Sequence, residues 1–217
     1  MSFVIVGVGP GLGQAIARRF AQEGLPVGLV ARNAERLATL AEGLERSGAA
    51  VGTAVADASD PASLRQALEQ LAESLGPVEV LVYNAARMSR GLPSELTPAE
   101  LQQHLAVDVV GALAAAQAVV PGMAAAGRGT LLFTGGGYAE RPWAGMTGLG
   151  VGKAALRNLA RCMAQEYGDK GIHVATVTIH GMVRAGTAFA PADIAEVYAA
   201  LHREQAGQWR TEVDFQG

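Results

Sequence analysis

The chain has 217 residues, half of them apolar and 17% charged, with a formal net charge of −3. A chain of this size buries roughly 70% of its unfolded surface, so one domain with a sizeable core is expected over residues 1–217. The slight acidity excludes an electrostatic nucleic-acid footprint, and the apolar content excludes a disordered class. The lone cysteine, Cys162, excludes an intrachain disulfide and is expected in a helix core.

Short β-branched runs alternate with helical patterns along the chain. Phe3–Val6 reads as a buried strand, followed by a glycine-rich turn and a helix over Gly11–Gln22. Pro26–Val30 is the second strand. The helix Ala34–Ser47 then places Leu37, Leu40, Ala41 and Leu44 on one face. Ala50–Ala56 is a third strand, and a helix with Pro61 in its first turn runs to Leu75. Val78–Tyr83 is a continuous apolar strand of the fully buried kind. Thr97 and Glu100 have capping-box spacing and start a long helix directed towards Pro121. Then follow a strand (Gly129–Thr134), a helix (Gly150–Tyr167), a strand (Ile172–Ile179), a helix (Pro191–Glu204) and a closing strand (Trp209–Phe215). Strands separated by single helices imply a doubly wound parallel α/β sheet with helices on both faces.

The apolar stretch 107–127 contains Asp108, Gln117 and Pro121, which argues against a membrane span. Phe3–Val6 is too short for a secretory signal. A cytoplasmic protein with neither membrane nor nucleic-acid partner is expected.

The turn Gly7-Val8-Gly9-Pro10-Gly11-Leu12-Gly13 follows the first strand directly. Glycines there permit a tight turn and close backbone approach to a pyrophosphate. The following helix directs free N–H groups and its positive dipole end at the phosphates. Gly7, Gly9, Gly11, Leu12 and Gly13 are therefore candidate dinucleotide ligands. The second strand is followed by Arg32-Asn33 rather than by a carboxylate that would bind ribose hydroxyls. A guanidinium pairs bidentately with a 2′-phosphate, so NADP is favoured over NAD. Asp57, after the third strand, is placed to accept from an adenine amino group, or to form a turn.

With these features the chain resembles the short-chain dehydrogenase/reductase family over nearly its whole length. The resemblance is carried by Gly7, Gly11 and Gly13, by Asp57, and by Tyr83-Asn84-Ala85-Ala86, similar to the family's Asn-Asn-Ala-Gly. It continues in Lys153, similar to the lysine of Tyr-x-x-x-Lys, and in His180-Gly181, where the family has Pro-Gly. It implies a Rossmann fold, NAD(P)H binding with Asn84 near the cofactor, and carbonyl/alcohol redox chemistry. It also implies a small-molecule substrate, which stays open, and no metal. Lys153 would hold the nicotinamide ribose.

Three of the family's four catalytic positions differ. Leu149 stands where the proton-exchanging tyrosine belongs, Gly135-Gly136-Gly137 where the serine belongs, and Asp108 where the relay asparagine belongs. Tyr138, His180 and Asp108 are candidates for a substitute acid. Each also has a structural reading, as loop packing, turn residue and buried hydrogen-bonded carboxylate respectively. Two functions follow: an NADP(H)-dependent oxidoreductase with an atypical proton donor, or a catalytically inactive dinucleotide-binding sensor or scaffold. The loop Met182–Ala190 is short for a lid, so an open pocket is expected. The apolar helices Leu101–Val120 and Gly150–Tyr167 suggest a homodimer or homotetramer.

Overall fold

The β-branched runs assemble into one seven-stranded parallel sheet in a computed structural model that describes residues 1–217. Its strands are β1 (Ser2–Val6), β2 (Val27–Ala31), β3 (Val51–Val55), β4 (Val78–Tyr83), β5 (Gly129–Thr134), β6 (Ile172–Ile179) and β7 (Glu212–Phe215), in the order β3-β2-β1-β4-β5-β6-β7. The helices are α1 (Leu12–Gln22), α2 (Ala34–Glu45), α3 (Pro61–Leu75), α4 (Pro98–Leu105), α5 (Gly111–Ala126), α6 (Thr147–Tyr167) and α7 (Pro191–His202).

Side chains of the central strands alternate between two cores, which is why β1, β4, β5 and β6 read as predominantly apolar runs, whereas the edge strand β7 alternates Glu212, Val213, Asp214 and Phe215. In β1, Val4 and Val6 face the core formed with α3, α5 and α6. Phe3 and Ile5 face the core formed with α1, α2 and α7. The helix starts follow their expected chemistry. Asn33 caps α2 by accepting from the Arg36 amide at 2.7 Å, Asp60 caps α3 ahead of Pro61, and Thr97 and Glu100 close a reciprocal box on α4.

The helix expected to run towards Pro121 passes through it and ends at Ala126, capped by Gly127 in the left-handed conformation. Pro121 is exposed, so the Gln117 carbonyl that it leaves without an amide partner can meet water. The helical stretch Pro98–Ala126 is long and apolar enough to cross a membrane by composition alone. Here α5 lies on the sheet, with Ala112, Ala115, Ala116 and Met123 in the core. Between α4 and α5, residues Ala106–Val110 form one π-helical turn. Within it the Val107 carbonyl accepts from the Tyr83 hydroxyl, and Asp108 is carried inwards.

Strand order reverses at β1, which has β2 on one side and β4 on the other. In open α/β sheets a crevice opens at such a switch point, beyond the carboxyl ends of the strands.

Candidate active site

That crevice is a cavity of about 1430 Å³. Gly7, Arg32, Asp57, Asn84, Lys153 and His180 all line it, which brings the two ends of the expected dinucleotide site into one space.

At its centre lies the glycine turn. Gly7 has φ +86°, and a Cβ there would lie 2.4 Å from the Ala85 amide nitrogen, so only glycine lets β1 and β4 diverge this closely. A Cβ on Gly13 would lie 3.0 Å from Val8 Cα, which seats α1 against the turn. Gly11, with φ +111°, and Gly9 have open space beside them. Gly7, Val8 and Leu12 line the cavity; Gly9, Gly11 and Gly13 shape it without lining it. The amides of Leu12 and Gly13 find no acceptor in the protein, and Gly11 offers no side-chain cap. The first turn of α1 therefore retains unsatisfied donors, which is what an anionic ligand requires.

At one end Arg32 is exposed and makes no ion pair, and Arg36, from the first turn of α2, joins it on the cavity wall. The sequence reading passed over Arg36, whose position one turn beyond the Asn33 cap was the available signal. Asp57 accepts from the amide and the hydroxyl of Ser59, each at 2.8 Å. These bonds, with Arg32 nearby, hold its carboxyl below the usual range. Asn84 donates to the Gly7 carbonyl and accepts from the Thr134 hydroxyl, both at 2.9 Å. Its amide thus ties the ends of β1 and β5 together at the cavity floor.

At the other end Lys153 is buried, 5% exposed, and its Nζ donates to the Thr134 carbonyl at 2.6 Å. Burial pushes its ammonium below the ordinary range for lysine, against the attraction of Asp108. Leu149 forms part of the wall one turn earlier, and Gly136 presents no side chain. Tyr138 stands in a short 3₁₀ turn with its ring 6.0 Å from that of Trp143, and its hydroxyl has no partner in the protein. His180 Nε2 lies 2.9 Å from Asp214 Oδ1 on β7 and 4.0 Å from Glu140. Its imidazole therefore faces the sheet edge as well as the cavity.

Asp108 is fully buried. Its Oδ1 accepts from the Arg87 amide at 2.8 Å, and its Oδ2 has no hydrogen-bond partner. Burial raises its carboxyl pKa, opposed by the Arg87 bond and by the charges of Lys153 and His104. His104, one helical turn before it and also fully buried, is a residue that sequence reasoning missed. Its Nδ1 lies 3.8 Å from Asp108 Oδ2, and its Nε2 lies 2.7 Å from Ser89 Oγ on the cavity wall. The approach is set by two glycines of α6. A Cβ on Gly148 would lie 2.4 Å from the His104 ring, and one on Gly152 would lie 2.2 Å from Asp108 Oδ2.

Cys162 is exposed, not in the helix core as expected. The buried stripe of α6 runs through Leu156, Ala160, Met163 and Tyr167, which leaves position 162 on the outer side. The loop after β6 folds back on itself, with the Arg184 amide donating to the Phe189 carbonyl and Phe189 packed edge-on against Phe215. Met182 and Val183 of this loop stand on the cavity wall, and Met182 is 81% exposed.

Residues 2–192 match the family model for the short chain dehydrogenase. Among solved structures, a short-chain dehydrogenase from Rhodopseudomonas palustris superposes with a TM-score of 0.91 at 26% identity, covering 100% of this chain and 98% of that one. A metagenomic short-chain oxidoreductase in complex with NADP gives 0.90 at 26% identity, covering 98% and 95%. The 17-beta-hydroxysteroid dehydrogenase type 3 of Mus musculus is 29% identical over 179 residues, 81% of this chain and 58% of that protein. The chain thus spans a little over half the length of that curated relative. The sheet order, the crevice at its switch point and the match over residues 2–192 make the chain a member of the short-chain dehydrogenase family of oxidoreductases.

Proposed function

We propose that the protein is an NADP(H)-dependent oxidoreductase acting on a carbonyl or alcohol substrate, with proton exchange by a group other than the family's tyrosine. One observation carries this reading. Leu12, whose amide is unpartnered at the start of α1, the unpaired cations Arg32 and Arg36, and buried Lys153 share a single cavity of dinucleotide size. Arg32 and Arg36 suit a 2′-phosphate, the Leu12 and Gly13 amides suit the pyrophosphate, and the Lys153 ammonium suits ribose hydroxyls. The likeness to an oxidoreductase solved with NADP supports the same assignment. A nicotinamide dinucleotide, when bound, supplies the hydride-transfer chemistry; the chain orients the substrate and manages its proton.

Leu149 and Gly136 favour a second reading, a sensor or scaffold that binds the dinucleotide without turnover, because neither can exchange a proton. Titrating the protein with NADPH and NADH, then offering aldehydes, ketones and quinones, separates the two. Tight NADPH binding with carbonyl-dependent loss of nicotinamide absorbance supports the enzyme. Binding without turnover across the panel supports the sensor, and no binding removes both. The reading retains a cytoplasmic location. It also retains a homodimer or homotetramer built on α5 and α6, consistent with exposed Val110 and Val151 at their N-terminal ends.

A further inference from the structure

The cavity has lost the family's phenol and its hydroxyl, yet one protic side chain on its wall is backed by a buried base. Ser89 is fixed there by backbone pairing of its neighbour Gly91, whose amide donates to the Gly145 carbonyl at 3.1 Å. This pins the segment beside Met146 at the start of α6, and Leu149 lines the same cavity. Ser89 Oγ lies 2.7 Å from His104 Nε2, and His104 Nδ1 and Asp108 Oδ2 are both buried with no hydrogen-bond partner, 3.8 Å apart.

The tautomer follows from those neighbours. An unprotonated Nδ1 would set its lone pair against an unpaired carboxylate oxygen, whereas an Nδ1–H is attracted to that oxygen. Nε2 is then the acceptor and the Ser89 hydroxyl the donor. Hydroxyl, imidazole and carboxylate thus stand in the order that activates a serine, and Gly148 and Gly152 allow His104 and Asp108 to reach it.

We infer that Ser89, His104 and Asp108 form a proton relay serving the cavity, with Ser89 as its catalytic residue and Asp108 as the residue that positions His104. When an alcohol substrate is oxidised, its hydroxyl proton passes to Ser89 Oγ while the Ser89 proton passes to His104 Nε2. The resulting imidazolium is balanced by the Asp108 carboxylate. Reduction of the carbonyl runs the same transfers in reverse, and the proton is exchanged with solvent between turnovers. The hydrogen on the substrate carbon would leave with its electron pair as hydride to a bound nicotinamide, so this part rests on the oxidoreductase reading; the activated hydroxyl does not.

The nucleotide-free protein can therefore be treated with a fluorophosphonate, which forms a phosphorus–oxygen bond to an activated serine and releases fluoride. Peptide mass mapping should place one adduct on Ser89, absent in Ser89→Ala and formed at least tenfold more slowly in Asp108→Asn. Absence of an adduct at Ser89, or equal rates in Asp108→Asn and the parent, overturns the relay. Because position 108 is buried and its variant is at risk of misfolding, nitrogen-15 spectra of the parent's histidines give a second test. An Nδ1–H tautomer of His104 supports the relay and an Nε2–H tautomer overturns it. A purely structural His104–Ser89 bond would give no adduct. NADPH binding measured alongside keeps the two failures apart. Adduct without nucleotide binding removes the oxidoreductase reading alone, and nucleotide binding without adduct removes the relay alone.

Discussion

Gly152→Ala tests whether the α6 glycines exist to admit Asp108. In an exposed helix interior this change stabilises by about 1 kcal/mol, because alanine loses less backbone entropy. At position 152 the new Cβ would lie 2.2 Å from Asp108 Oδ2 and 2.9 Å from its Cβ and Cγ, distances that no real methyl tolerates. Overpacking of this kind costs about 1–3 kcal/mol. Pushing the carboxylate off the Arg87 amide removes a charge-assisted bond of about 1.5–3 kcal/mol. The net loss is about 1.5–5 kcal/mol, which for a chain of this size lowers Tm by roughly 3–20 °C. Gly122→Ala is the control. It lies in an exposed part of α5 with nothing within 4 Å of its added Cβ, so it should raise Tm by a few degrees. Calorimetry of both variants measures the contrast. A Gly152→Ala protein as stable as the parent, with Gly122→Ala behaving as expected, would show that Asp108 is not held where the packing places it.

Arg32→Ala should weaken NADPH binding by about 10- to 100-fold, the loss of one charge-assisted contact, and NADH binding by less than about twofold. Calorimetric titration of both nucleotides checks this, and equal losses refute the 2′-phosphate assignment. Glu212 on β7 accepts from Arg157 and Arg161 of α6. Although burial alone would raise its pKa, these two cations bring it below the carboxylate's ordinary value of 4.5. A depressed folded pKa gives stability that is present above about 4.5 and lost as pH falls through the folded value. Glu212→Gln should therefore lower Tm at pH 7 and lessen the further fall between pH 5 and pH 3; an unchanged pH slope counts against the pair.

Patterns confined to neighbouring residues were legible in the sequence. The bounds of β4, β5 and β6 were legible because a strand buried on both faces is predominantly apolar, even though Glu79 interrupts β4 and His173, Thr176 and Thr178 interrupt β6. The cap at Thr97 and the start of α3 at Pro61 were visible because such signals span only a few residues. Pro121 misled, because its effect depends on whether the freed carbonyl meets water, which is a matter of packing. Cys162 misled because an apolar composition does not say which side of α6 meets the sheet. The glycine turn, Arg32 and Lys153 announced the dinucleotide crevice. Ser89 and His104 did not stand out, since they lie fifteen residues apart and meet only through the fold. One local signal was present: His104 and Asp108 are one helical turn apart, on one face of a helix, at the position of the family's relay asparagine.

The substitutions at 108 and 149 make physical sense as a pair. In the pattern that the family resemblance implies, a lysine ammonium lowers the pKa of a tyrosine four residues earlier, and the neutral asparagine leaves that field intact. Here a buried carboxylate acts electrostatically on Lys153 and opposes that field, so a phenol at position 149 would be less strongly acidified. An aliphatic side chain loses nothing by that exchange. Restoring the phenol alone should therefore not restore its chemistry. In Leu149→Tyr the new hydroxyl should titrate near the ordinary tyrosine value of about 10, whereas in Leu149→Tyr with Asp108→Asn it should titrate clearly lower. Carbon-13 labelling of tyrosine lets the titration be followed by NMR. Burial pushes Tyr83 and Tyr198 well above the ordinary range, so neither overlaps a lowered signal. A phenol that titrates equally low in the single and double variants would mean that Asp108 exerts no field on the Lys153 end of the cavity. The pairing of a carboxylate at 108 with leucine at 149 would then have no electrostatic basis.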